Sequence, residues 1–162
     1  VAQSLQNELL MLMPEEIGTA ALDQEKYLVK NAKKIGVLVA GAAAQRFGAK
    51  LDAEQEVLVS IANIANQLYA MESAVIRTQK AIERDGEEKA AQKILYTQIF
   101  CQEAFAEIEK EAKQTLLASV EGDDARMILS ALRKLTRNNP YNLIPKKREA
   151  AAKLIEAEKY VV

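Results

Sequence analysis

Several groups of side chains in this sequence have the types and spacing that chemistry requires. Asn63, Asn66 and Gln67 place three amides in the middle of a long helical stretch. Buried amides bind a ligand or fix helix register, and Asn63, one residue from the apolar position Ile64, is expected to reach the interior. Glu72 would serve as an isolated buried base. Its distance of five residues from Arg77 differs from the three or four that a helical ion pair needs. Glu103 and Glu107 stand at i, i+4, which puts two carboxylates on one helix face, as acid/base and dimetal sites do. The dimetal pattern of helical bundles takes Glu-x-x-His motifs, and the chain contains no His. A solvated acidic face is therefore the expectation. Cys101 sits beside Phe100 and four residues before Phe105. With no His to activate it, it reads as a core thiol and not as a nucleophile. Lys146-Lys147-Arg148 would suit a phosphate or an anionic surface, but cations in the first turn of a helix oppose its dipole. A solvated cluster is expected there. The sequence holds no Gly-rich phosphate loop, nucleophile elbow, metal box or nucleotide fingerprint. No residue is assigned a catalytic, cofactor-binding or metal-ligating role, and the chain reads as a helical packing module.

The composition agrees. The 162 residues are 49% apolar and 28% charged, with aromatics at 5% and no Trp. Only 6 Gly and 3 Pro serve the whole length, and the abundance of Ala, Leu, Glu, Lys and Gln favours helix throughout. With 22 basic against 23 acidic side chains the net charge is −1, so there is no broad basic field to collect nucleic acid. The absence of His removes the commonest metal ligand and near-neutral pH switch. A single cysteine makes neither an internal disulfide nor a thiolate zinc site, and points to a reducing, cytoplasmic setting. The most apolar run, Ile35–Ala44, is too short to cross a bilayer. The first residue is Val1 and not Met, which we read as a piece of a longer polypeptide.

The elements that must position these residues follow from periodicity. Ser4–Met13 reads as a short amphipathic helix carrying Leu5, Leu9, Leu12 and Met13, stopped by Pro14. Residues 1–21 are taken as this helix and a linker, and 22–162 as a helical-bundle domain. Asp23–Lys50 is the second helix, with an apolar stripe of Leu28, Ala32, Ile35, Val39 and Ala42. A row of small residues, Ala32, Gly36, Ala40, Ala44 and Gly48, predicts a tightly packed central helix. Asp52 is expected as an N-cap with Gln55 completing a capping box. Ala53–Arg84 follows, roughly 48 Å long at about 1.5 Å per residue. Val57, Ile61, Ile64, Leu68, Met71, Val75 and Ile82 form its seam, with Thr78 filling the gap. Gly86 ends that helix and the short connection makes the next one antiparallel. Glu87–Glu121 should bury Ala91, Ile94, Cys101, Phe105, Ile108, Ala112 and Leu116. Gly122-Asp123-Asp124 breaks it and caps Asp124–Arg137, which carries Ala125, Ile128, Leu129, Leu132 and Leu135. Asn138-Asn139-Pro140 ends that helix. Pro145, as its first residue, opens Lys146–Tyr160, whose thin stripe of Ala151, Leu154 and Ile155 suits a peripheral helix or one packed on a partner. The fold class is all-α: an up-down antiparallel four-helix bundle with short extra helices at both ends.

Asn66-Gln67-Leu68-Tyr69-Ala70-Met71 carries a resemblance. With Val37-Leu38-Val39-Ala40-Gly41, Arg46-Phe47-Gly48, Glu54-Gln55-Glu56-Val57-Leu58 and the Arg126–Arg137 helix before Asn138-Asn139-Pro140, it resembles the C-terminal helical region of the very-long-chain acyl-CoA dehydrogenases. The similarity covers most of Leu22–Leu143. It implies a parent flavoprotein with FAD that desaturates long-chain fatty acyl-CoA between the α and β carbons in β-oxidation. A catalytic glutamate and the flavin would lie in a preceding dehydrogenase body. No segment here matches the glutamate motif or the flavin contacts, so no catalytic residue is carried over and no FAD is expected in this chain alone. The resemblance further implies that the body of the same chain is the partner, with links to a dimer surface, and hence a homo-oligomer, and to membrane association. The alternative is a stand-alone helical interaction or scaffolding bundle with no enzymatic activity. A third reading, an interfacial membrane helix at Leu5–Met13, is opposed by Glu15-Glu16 and by the lack of Lys or Arg in that helix.

Overall fold

The computed structural model describes residues 16–159 and Val161. The helix expected over Ser4–Met13, with Leu5, Leu9, Leu12 and Met13, lies outside the described residues. Among the described residues the chain is helical with no strand. Helix α1 spans Asp23–Phe47, a single 3-10 segment Gly48–Ala53 follows, and then come α2 (Gln55–Asp85), α3 (Glu87–Ser119), α4 (Gly122–Leu135) and α5 (Leu143–Ala157). This is the all-α bundle that periodicity predicts.

The stripe of α1 is fully used: Leu28, Ala32, Ile35, Val39 and Ala42 are all buried. Along α2 the buried residues are Val57, Ile64, Met71, Val75, Thr78 and Ala81, while Ile61, Leu68 and Ile82 are half-buried. Thr78 fills the seam's gap by sharing a hydrogen bond of 2.7 Å with Thr97 of α3. That bond satisfies two hydroxyls that burial would otherwise leave unpaired. α3 is the hub: it packs on α1, α2, α4 and α5. Its Cys101, Phe105, Ile108, Ala112 and Leu116 form the centre of one continuous core with α1, α2 and α4.

Some local expectations are overturned. The row of small residues packs at one end only. Ala32 is buried, Gly36 and Ala40 are half-buried, and Ala44 and Gly48 face solvent. Each four-residue step overshoots the 3.6-residue turn by about 40°, so the row swings off the packed face. A Cβ on Gly36 would meet Ile64 Cγ2 at an ordinary 3.8 Å. Ala91 is exposed, because the first turns of α3 face α2 and cover Ala90, Leu95 and Thr97 instead. Asp52 is not the cap of α2; Glu54 stands at that position without a side-chain bond, and Gln55 Nε2 donates to the Asp52 carbonyl at 2.7 Å. Asp123 and Asp124 lie inside the first turn of α4, where they favour the positive end of its dipole. Gly86 and Gly122, at φ +84° and +63°, make the two sharp breaks at the ends of α3. Pro145 is the third residue of α5; Asn142 is the cap, its Oδ1 accepting from the Ile144 N–H at 3.1 Å. Ala150 is the buried residue of α5, whereas Ala151 and Ile155 are exposed.

Truncating Phe105 removes a fully buried ring from the hub helix and is expected to cost about 3–5 kcal/mol. Tyr69, 77% exposed, should change stability by less than about 0.5 kcal/mol when replaced by Ala. Urea unfolding of the Phe105→Ala and Tyr69→Ala variants checks the contrast.

Candidate functional site

The three amides do not enter the interior. Asn63 is exposed and its Nδ2 lies 3.4 Å from Glu111 Oε1 of α3; Asn66 is exposed and Gln67 half-buried. Position 64 turns inward and 63 falls on the rim, so Ile64 and Met71 fill the space that the amides were expected to reach. Glu72 is no isolated base: its carboxylate accepts from Lys33 Nζ at 2.5 Å, across the α1–α2 seam, with both partners half-exposed. Glu107 pairs with Lys110 at 2.7 Å. Glu103 accepts from Lys147 and so ties α5 to α3. Lys146 donates to Gln98 Oε1 at 2.6 Å and lies over the Tyr141 ring. Of the expected solvated cluster, Arg148 is the one without such a contact among the described residues. Cys101 is fully buried, and desolvation, with the charge of Glu25 adding to it, pushes its thiol up to about 12. It is chemically quiet at neutral pH.

The group that sequence reasoning missed is Glu25. It sits in the first turn of α1, fully buried, with no hydrogen-bond partner on either carboxylate oxygen among the described residues. Burial raises its pKa. Its own backbone N–H, the Tyr141 phenol and the Lys146 ammonium favour the charged form without cancelling that rise. The Tyr141 phenol is pushed upward in turn by burial and by this carboxylate. Around the pair, the 136–142 connection is held against α1: Gln24 Nε2 donates to the Asn139 carbonyl at 2.5 Å and the Tyr27 hydroxyl to the Arg137 carbonyl at 3.1 Å. Gln98 Nε2 completes the clasp on the Ala21 carbonyl at 3.3 Å. An apolar stripe shows which residues are inside but not that an acid at its edge is sealed by a segment over a hundred positions away.

Two open grooves flank α2. One, between α1 and α2, is lined by Lys26, Lys30, Lys33 and Glu72 with Val29, Val75 and Ile76. The larger, between α2 and α3, has a volume of about 960 Å³ and brings Arg77, Lys80, Arg84 and Lys93 together with Tyr96 and Phe100. Neither offers a closed, flat, apolar slot, which is what a flavin ring system needs to be held out of water. The residues lining these two grooves therefore do not form a flavin site. Among the described residues no cluster of three acidic, Cys or His side chains suits a metal ion.

The outer face of α2 has a further property. Every exposed residue from Val59 to Ile76 (Val59, Ala62, Asn63, Ala65, Asn66, Tyr69 and Ile76) is uncharged, in a chain of which 28% is charged. Folding does not need this surface, and a solvated helix face is normally rich in charge.

Comparison with known proteins gives the class of this helical bundle. The chain belongs to the acyl-CoA dehydrogenase C-terminal domain family, whose pattern matches residues 31–134. It is 65% identical over 161 residues to a probable acyl-CoA dehydrogenase of Bacillus subtilis (strain 168), covering 99% of this chain and 27% of that relative. It overlays at a TM-score of 0.95 and 63% identity on an acyl-CoA dehydrogenase from Bacillus anthracis whose crystal structure is a complex with FAD, again covering 99% of this chain and 27% of the other. The chain thus spans about a quarter of these relatives.

A raised folded-state pKa means that Glu25 favours the fold most when protonated. Its contribution is full below the ordinary carboxylate range and is lost as pH rises through the folded-state value. Glu25→Gln is therefore expected to stabilise the chain at pH 7.5, with the gain shrinking to nothing near pH 4. Urea midpoints across that range measure it.

Proposed function

We propose that this chain is the accessory C-terminal bundle of an FAD-dependent acyl-CoA dehydrogenase that desaturates long-chain fatty acyl-CoA in β-oxidation, and that it carries no catalytic residue of its own. The observation that supports this most is the overlay on an FAD-complexed acyl-CoA dehydrogenase along nearly the whole chain. The buried, inert Cys101, the absence of His and the open form of the two grooves beside α2 all favour an assisting role over a catalytic one. A cytoplasmic setting goes with the unoxidised thiol. In this reading FAD, substrate and the proton-abstracting glutamate belong to the body of the same polypeptide. The chain alone should then bind no FAD and show no acyl-CoA desaturation, while the full-length polypeptide does both. Flavin absorbance after gel filtration, with a dye-reduction assay on a long-chain acyl-CoA, measures this; stoichiometric FAD on the isolated chain would sink the reading.

The uncharged stretch of α2 is the surface we assign to the contact with that body. Tyr69 and Ala62 are exposed and bring nothing to the bundle core, and with Val59, Asn63, Ala65 and Asn66 they make an uncharged patch on the helix, as the centre of an interface is depleted in charge. Tyr69→Asp in the full-length polypeptide should lower its melting transition by several degrees and loosen its FAD, although Tyr69→Ala leaves the isolated chain unaffected. An unchanged melt and unchanged flavin content would move the interface elsewhere.

A further inference from the structure

We infer that the groove between α2 and α3 is a binding site for a small phosphate monoester whose organic part is a ring or short apolar group. Arg77, Lys80 and Arg84 recur at steps of three and four, so they share one face of α2, and Lys93 meets them from the antiparallel α3. No acidic side chain lines the groove. Asp85 takes up Arg84, with side chains 2.7 Å apart, and also acts on Lys93. Arg77 and Lys80 have no hydrogen-bond or ion-pair partner among the described residues. The exposed residues of α2 therefore change character along its length: those from Val59 to Ile76 are uncharged, and Arg77, Lys80 and Arg84 follow, with Glu83 as the exposed acid among them.

In a chain of net charge −1, this concentration of uncompensated cation calls for an anion. Its strength fits phosphate better than carboxylate. A phosphate ester carries about −1.5 to −2 at pH 7, which balances Arg77, Lys80 and the partly satisfied Lys93, whereas a carboxylate leaves most of that charge unmet. The planar guanidinium of Arg77 suits two oxygens of one phosphate. The remainder of the site is apolar: Ala70, Ala74 and Ala81 form a shallow floor, with the rings of Tyr96 and Phe100 on the α3 side. The Tyr96 hydroxyl is itself buried and has no hydrogen-bond partner among the described residues. The volume lies at the upper end of the roughly 300–1,000 Å³ usual for small-molecule sites. This inference stands on the residues of the groove and does not depend on the dehydrogenase reading.

The test uses the full-length natural polypeptide that carries this chain, with phenyl phosphate and inorganic phosphate as probes. Lysines are acetylated with a water-soluble reagent, and the rate at each is read by peptide mass spectrometry. Phenyl phosphate should slow Lys80 and Lys93 at least threefold and inorganic phosphate less, with Lys50 and Lys113, outside the groove, unchanged. Arg77→Gln should abolish the protection while leaving the melting transition and the Lys50 rate as they were. Three results would each overturn the site: equal rates at groove and control lysines with either probe, groove lysines that are already unreactive without a probe, or protection that only phosphatidylglycerol vesicles produce.

Discussion

The whole molecule depends on α3 being covered on several sides at once. An amphipathic surface helix buries one stripe; α3 must satisfy α1, α2, α4 and α5 together. That requirement explains why its buried set is wider than a seam and mixes apolar residues with Thr97, Thr115 and Ser119. The hydroxyls of Thr115 and Ser119 donate to carbonyls one turn back, Glu111 at 3.0 Å and Thr115 at 2.7 Å. Thr97 meets Thr78 across the helix pair. These three hydroxyls sit in a dense core because each finds a partner within its own helix or its nearest neighbour, whereas Gln92, also buried on this helix, has none among the described residues. The small residues Ala104 and Ala112 let the other helices approach, while Phe105 and Ile108 fill the space between them.

Outside this core the surface divides by what it must do. Where the bundle is only solvated, it is charged and crossed by exposed pairs such as Arg46–Glu121 and Lys153–Glu149, which individually contribute little. Along α2 the exposed residues from Val59 to Ile76 are uncharged, with half-exposed Glu72 turned to Lys33, and beyond that point Arg77, Lys80 and Arg84 outnumber the exposed Glu83. One helix thus carries three surfaces: a seam for its own bundle, an uncharged stretch and a basic end. Its length makes this possible, since a helix of 31 residues is about 46 Å long and outlasts any single contact.

The bundle was legible in the sequence because its signals are local and repeated. The α1 stripe at Leu28, Ala32, Ile35, Val39 and Ala42 needs only the helical period, and Gly86 and Gly122 need only the turn. Caps were less legible, since the side chain that ends a helix is chosen by a few atoms: Asp52 had the right type but the 3-10 segment placed it outside the cap. The amides at 63, 66 and 67 misled for the opposite reason. Their prominence in the sequence was real, but it reflects a surface and not a site, and one residue of rotation separates Asn63 from Ile64. Glu25 was invisible, because the connection that seals it joins α1 to Asn139 across a separation of 115 residues. No periodicity in one segment reports on such a meeting.

That clasp has a mechanical consequence. Ala21, Gln24 and Tyr27 at the start of α1 hold Gln98, Asn139 and Arg137, so the polypeptide enters the bundle at the same pole where the 136–142 connection turns toward α5. A pull along the residues before Asp23 loads these few polar contacts first, and reaches the apolar interior only after they part. The clasp acts as a fuse in series with the core. Its strength is set by hydrogen bonds and one sealed carboxylate, so it would yield while the helices behind it remain packed.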